Sequence, residues 1–207
     1  MVKKASAGAL AWLVLALGAA APGAAQSFRE GQFDPAIPTL TQIAGHAPGT
    51  RITSPDQTYA YLEALAKAAP DRVRLVRYAT SWEDRPLYYL VISAPQNIAR
   101  LEAIRADLAT IAAGRPGNGS ALPVTWLAYG VHGNEISSTD AALMTAYHLL
   151  AATGDGEVEA ILRETIVVID PMQNPDGRAR FLASFLGASG IVPAADRQAA
   201  EHDEPWP

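Results

Sequence analysis

Val124-Thr125-Trp126-Leu127-Ala128, followed closely by Gly130-Val131-His132-Gly133-Asn134-Glu135, is the stretch on which the fold turns. The first five residues form a run without a charge, the pattern of a strand covered on both faces rather than one alternating against solvent. It is expected at the centre of a sheet. A second run of the same kind, residues 165–169, leads into Asp170-Pro171-Met172-Gln173-Asn174-Pro175-Asp176-Gly177. Between them, residues 137–152 read as a helix, with Ser137 and Asp140 at capping-box spacing and Leu143, Ala146, Tyr147 and Leu150 on one face. Gly154-Asp155-Gly156 ends that helix, and residues 157–163 read as a shorter one. Strands alternating with helices predict an α/β fold with a mixed β-sheet flanked by helices.

Further towards the amino terminus, Ile98, Leu101, Ile104, Leu108 and Ile111 recur at helical spacing over residues 97–113, and the Gly/Pro-rich residues 114–120 form a loop. Residues 73–79 and 87–92 fit a hairpin turning at residues 81–85. Ser54 is an N-cap for a helix carrying Tyr59, Leu62, Leu65 and Ala66 that Pro70 stops. Residues 26–53 show no sustained period and are expected to be an irregular arm. Residues 1–25 read as a signal peptide: Lys3 and Lys4 precede an uncharged apolar run, and Gly23 and Ala25 stand at the −3 and −1 positions before Gln26. The run is shorter than the ~20 residues a span requires, so the expected protein is exported, periplasmic or secreted, with no stable membrane span after removal of the signal. Beyond Pro175, residues 178–190 are partly helical in pattern, and residues 201–207 are polar and proline-rich. The expected organisation is a signal at 1–25, the arm at 26–53 and the amino-terminal part of one domain at 54–207.

Composition narrows the functional classes. The chain has 207 residues, 49% hydrophobic and 18% charged, with 16 basic against 21 acidic side chains, a net charge of −5 and no cysteine. That excludes disorder as a whole-chain property and leaves no basic footprint for nucleic acid. It also excludes a cysteine nucleophile, and no Gly-x-Ser-x-Gly elbow is present.

In open α/β sheets, chemistry collects at the carboxyl ends of the strands. There the first loop sets His132 and Glu135 three positions apart, with Gly133 permitting a tight or left-handed backbone. Neutral imidazole and carboxylate are ordinary zinc ligands, and two His with one Glu and a water is a catalytic set. The pair has a purely structural reading too. His132 could bond a carbonyl of its turn, and Glu135 could serve the following helix N-terminus through its charge. Asn174-Pro175-Asp176-Gly177 is likewise a turn motif in its own right.

Taken together, His132-Gly133-Asn134-Glu135 after one strand, Asn174-Pro175-Asp176-Gly177 after the next and Ser81-Trp82-Glu83-Asp84-Arg85-Pro86-Leu87 in the early hairpin resemble the zinc carboxypeptidases, the metallopeptidases related to carboxypeptidases A and B. The resemblance runs from about Tyr59 to Arg180; Asp84 stands where members often have Gly. It implies that His132 and Glu135 bind one Zn2+, that Asn174 to Gly177 wall the site, and that the substrate is a peptide or related amide cleaved near a chain terminus. It also implies an Asn-Arg pair, a third ligand His, a Tyr and a catalytic Glu, none of which has a matching position here. The fold is therefore expected to be zinc-carboxypeptidase-like and incomplete at the carboxyl end, with no catalytic residue assignable within this chain. His202 is the one candidate substitute for the third ligand; His46 and His148 are expected to be structural or exposed. Arg178 and Arg180 could polarise a substrate carbonyl, but their spacing departs from the family's, and solvated surface positions are expected. The alternative function is a non-catalytic peptide-binding or vestigial domain on the same scaffold.

Overall fold

The computed structural model describes residues 30–192 and 194–203. The signal-peptide expectation at 1–25 lies outside the described residues.

The arm is more regular than its lack of period suggests. A two-residue strand β1 (Gln32–Phe33) is followed by a short helix α1 (Leu40–Ala44), which Thr39 and Gln42 close with a reciprocal capping box. Ile37 and Leu40 are buried in the main core. Elements this short cannot display a period, so only the Thr39-x-x-Gln42 spacing could have revealed them. Ser54 caps α2 (Pro55–Ala68) with Gln57, as its sequence predicts, and Tyr61, Leu62 and Leu65 face inward.

The hairpin is also as expected: β2 (Val73–Thr80) pairs antiparallel with β3 (Pro86–Ile92). The single helix expected over 97–113 is two helices, α3 (Pro95–Ala99) and α4 (Leu101–Ala112), separated at Arg100. Buried Asn97 donates to the Leu162 and Arg163 carbonyls, which docks α3 separately while Ile98 and Ile104 still reach one core. The chain continues through β4 (Val124–Ala128), α5 (Ile136–Ala151), β5 (Ala152–Thr153), which pairs with β1, and α6 (Gly156–Glu164). Then come β6 (Ile166–Asp170), α7 (Pro175–Ala188) and a 3-10 turn at Ala200–His202.

The main sheet has the order β2-β3-β6-β4, with β4 parallel to β6 and the other pairs antiparallel. This is the mixed sheet the alternation of elements implied. All five residues of β6 are buried, with Val167 and Ile169 on one core and Ile166 and Val168 on the other. The first core joins α2, α5 and α6 to the sheet; the second joins α3 and α4 to its opposite face.

β4 differs from its expectation. Among the described residues it is an edge strand, and Trp126 is 57% exposed. An apolar run reports what a strand is able to bury, not whether a neighbour covers it. The capping box at Ser137 and Asp140 does not form either. The helix begins one residue earlier, Glu135 takes the cap position without a side-chain cap bond, and the Asp140 carboxylate turns inward.

Candidate metal centre

The parallel pairing of β4 and β6 does not stop where the strands end. Tyr129 donates its amide to the Asp170 carbonyl at 2.9 Å, Gln173 to Tyr129 at 3.1 Å and Asn174 to Gly130 at 2.9 Å. The loops after the two strands therefore run side by side. Gly130, with φ of 64°, rather than Gly133 takes the left-handed backbone, and a Cβ there would stand 3.1 Å from the Met172 Cα. Gly133 serves close approach instead: a Cβ on it would overlap the Gly177 carbonyl carbon and the Arg178 nitrogen.

On this platform the Glu135 amide donates to the His132 carbonyl at 3.2 Å, which curls the loop and brings the two side chains together. His132 Nδ1 lies 3.1 Å from Glu135 Oε1, and both side chains are a little over half exposed. His132 thus meets Glu135 rather than a carbonyl of its turn. Two ligands of one tetrahedral zinc, each bonded at about 2.0–2.2 Å, stand roughly 3.4 Å apart. The donor set and its spacing fit two corners of such a site. Among the described residues no further His, Cys, Asp or Glu joins them in a group of three. His202 Nε2 lies 2.9 Å from the Ala194 carbonyl, with Glu201 also near. His46 is buried with Nδ1 on the Ala47 carbonyl, and His148 lies beside Asp155 and Phe33.

The Asn-Pro-Asp-Gly loop is the amino terminus of α7. Asn174 caps it by accepting from the Gly177 amide at 2.8 Å, and Pro175 occupies the first turn. Asp176 reaches across to the hairpin turn, accepting from Ser81 Oγ at 2.7 Å, the Glu83 amide at 3.1 Å and Arg85 at 2.8 Å. Burial opposes ionisation of this carboxyl, but the bonds from Ser81, Arg85 and Glu83 outweigh it and hold it below the usual carboxylate range. At the same turn Asp84 has a φ of 61°. That is the position where members of the resembled family often have Gly.

Arg178 corrects the expectation of a surface arginine. It is 2% exposed, with Nε donating to the Thr53 carbonyl at 2.8 Å, Nη1 to the Ile136 carbonyl at 3.0 Å and Nη2 to Asp140 Oδ2 at 3.1 Å. Desolvation lowers its pKa, partly offset by the Asp140 charge. Thr53 Oγ1 donates to the other Asp140 oxygen. Arg180 is half-exposed as expected, and its guanidinium pairs with Glu83. Sequence reading also missed Asp170 at the end of β6. It is buried, it accepts from Tyr78 at 2.8 Å, and its other oxygen has no hydrogen-bond partner among the described residues. Burial pushes its carboxyl up.

Residues 58–190, well over half of the chain and including both strand-end loops, match the sequence profile of the zinc carboxypeptidases. The chain belongs to the zinc carboxypeptidase family. Mouse carboxypeptidase A4 is 26% identical over 120 residues, an alignment covering 58% of this chain and 23% of that protein. Among solved structures, thrombin activatable fibrinolysis inhibitor is similar at 18% identity and a TM-score of 0.49, over 70% of this chain and 33% of that one. The carboxypeptidase A of Helicoverpa armigera is similar at 24% identity and a TM-score of 0.47, over 74% of this chain and 36% of that one. This zinc carboxypeptidase chain thus spans about a quarter to a third of the length of these relatives. Its family implies Zn2+ as cofactor. No helix among the described residues is long and apolar enough to cross a membrane.

Proposed function

We propose that the whole protein to which this chain belongs is an exported zinc metallocarboxypeptidase that hydrolyses a peptide or related amide bond near a chain terminus. In this reading His132 and Glu135 supply two of the zinc ligands, and residues 54–207 are the amino-terminal part of the catalytic domain. The observation that carries it is the 3.1 Å approach of His132 Nδ1 to Glu135 Oε1 at the carboxyl ends of a parallel strand pair, inside the matched segment. Zinc, when bound, is the Lewis acid that polarises a scissile carbonyl and acidifies a water.

The chain's own residues hold and orient. His132 must present a neutral Nδ1 lone pair and Glu135 an ionised carboxylate, both aimed at one point by the curled loop. Gly133, against the first turn of α7, keeps that loop flat on the Asn174–Gly177 wall. The third ligand and the general base have no assigned residue here, so this chain by itself is expected to bind zinc weakly and to turn over little or no peptide. Export rests on Lys3, Lys4 and the apolar run before Gln26.

The test is hydrolysis of a short peptide by the whole protein, with and without a chelator, alongside His132→Ala. Chelator-sensitive cleavage that His132→Ala abolishes supports the reading. Zinc-independent cleavage, or peptide binding without turnover, would favour another hydrolase or the non-catalytic binding domain.

A further inference from the structure

We infer that Arg178 is a positioning residue for the metal loop, setting the direction of Glu135 from beneath; this rests on the proposed role of His132 and Glu135. Two observations carry it. The guanidinium reaches three acceptors in two segments far apart in the chain: the Thr53 carbonyl before α2, and, at the start of α5, the Ile136 carbonyl next to Glu135 and the Asp140 carboxylate one turn further along. The Arg178 backbone is also engaged, because its nitrogen and Gly177 lie against Gly133, leaving no space for a Cβ. One residue therefore touches the loop on both sides of Glu135, through its main chain at Gly133 and its side chain at Ile136.

At 2% exposure, with Nε, Nη1 and Nη2 each bonded within the protein, Arg178 has no donor turned to solvent for a substrate. It is thus not the carbonyl-polarising arginine that its place after the turn motif suggested. A buried ion pair is also an inefficient way to add stability, since an apolar replacement of similar volume often matches it. What the planar fork provides is geometry, because its donors point in fixed directions and accept one arrangement of partners. Partners behind metal ligands are typically worth about 10–100-fold in metal affinity.

The experiment measures Zn2+ affinity of the whole protein by competition with a chromophoric chelator, with folding followed by near-UV circular dichroism. Four proteins are compared: wild type, His132→Ala, Arg178→Lys, and Arg178→Met combined with Asp140→Asn. The double variant removes both buried charges together and keeps an acceptor for Thr53, so no charge is left unpaired. It is expected to fold and to bind zinc at least about 10-fold more weakly than wild type. Arg178→Lys keeps the charge without the fork and should lose affinity as well, since an ammonium cannot serve all three acceptors. A double variant that binds zinc like wild type, while His132→Ala does not, overturns the positioning role and leaves the metal reading standing. Wild-type affinity in His132→Ala overturns the metal reading itself. If the double variant does not fold, Arg178→Lys decides: wild-type affinity in that folded protein overturns the inference.

Discussion

Gly133 and Gly177 meet backbone to backbone, with no space between them for even one methyl group. This contact joins the loop after β4 to the first turn of α7. Gly133→Ala must push the two apart, an overpacking expected to cost about 1–3 kcal/mol. The denaturation midpoint should fall and zinc affinity should fall with it. An alanine variant with an unchanged midpoint would show that the loops are not clamped.

Asp176 ties the hairpin turn to α7 through Ser81, the Glu83 amide and Arg85. Its folded-state pKa lies below the unfolded value, so the unfolded chain binds more protons between the two. Its contribution to stability is therefore complete above the ordinary carboxylate pKa and disappears as pH falls through the lower, folded value. Asp176→Asn should be destabilised near pH 7 by about 1.5–3 kcal/mol. The gap to wild type should close under acid conditions, as thermal midpoints measured across pH would show.

Asp170 has the opposite sign. Burial raises its folded-state pKa above the unfolded value, so the folded state holds a proton that the unfolded chain releases. Ionisation then costs stability as pH rises through that interval. Asp170→Asn, which keeps an acceptor for Tyr78, should match wild type at low pH and equal or exceed it at neutral pH. Equal loss of stability at both pH values would count against this account.

Among the described residues β4 is an edge strand, and its exposed Trp126 has its ring 5.7 Å from that of Tyr89. An uncovered strand edge beside an exposed aromatic is a template for pairing between chains. Trp126→Lys should lower light scattering at high concentration and raise soluble yield, at a stability cost of about 0.5–1.5 kcal/mol from the lost ring pair. Unchanged scattering would place the self-association elsewhere.

The parts of this fold legible from sequence are those whose partners lie close in the chain. Ser54 and Gln57 announce α2, and the β-branched run over β6 announces a strand covered on both faces. The three-residue spacing of His132 and Glu135 at a strand end announced a pair able to converge. Arg178 and Asp140 were illegible because their partners are distant: Thr53 lies 125 residues before Arg178, and Asp140 lies 38 before it. Asp140 at capping distance from Ser137 looked local, and a buried guanidinium outcompeted the cap. β4 shows the remaining gap, since its apolar run carries no information about which neighbour covers it.

The first turn of α7 bonds to residues 53, 81–85 and 136–140 and packs against Gly133, segments made long before it during synthesis. Such distant closures are entropically costly and form slowly. The strands and early helices can gather as residues 30–170 emerge, but the packing against Gly133 and the bonds to Ile136 and Asp140 form only when Gly177 and Arg178 arrive. Under the proposed function, metal capture by the nascent chain is deferred until the scaffold around the ligand pair has assembled.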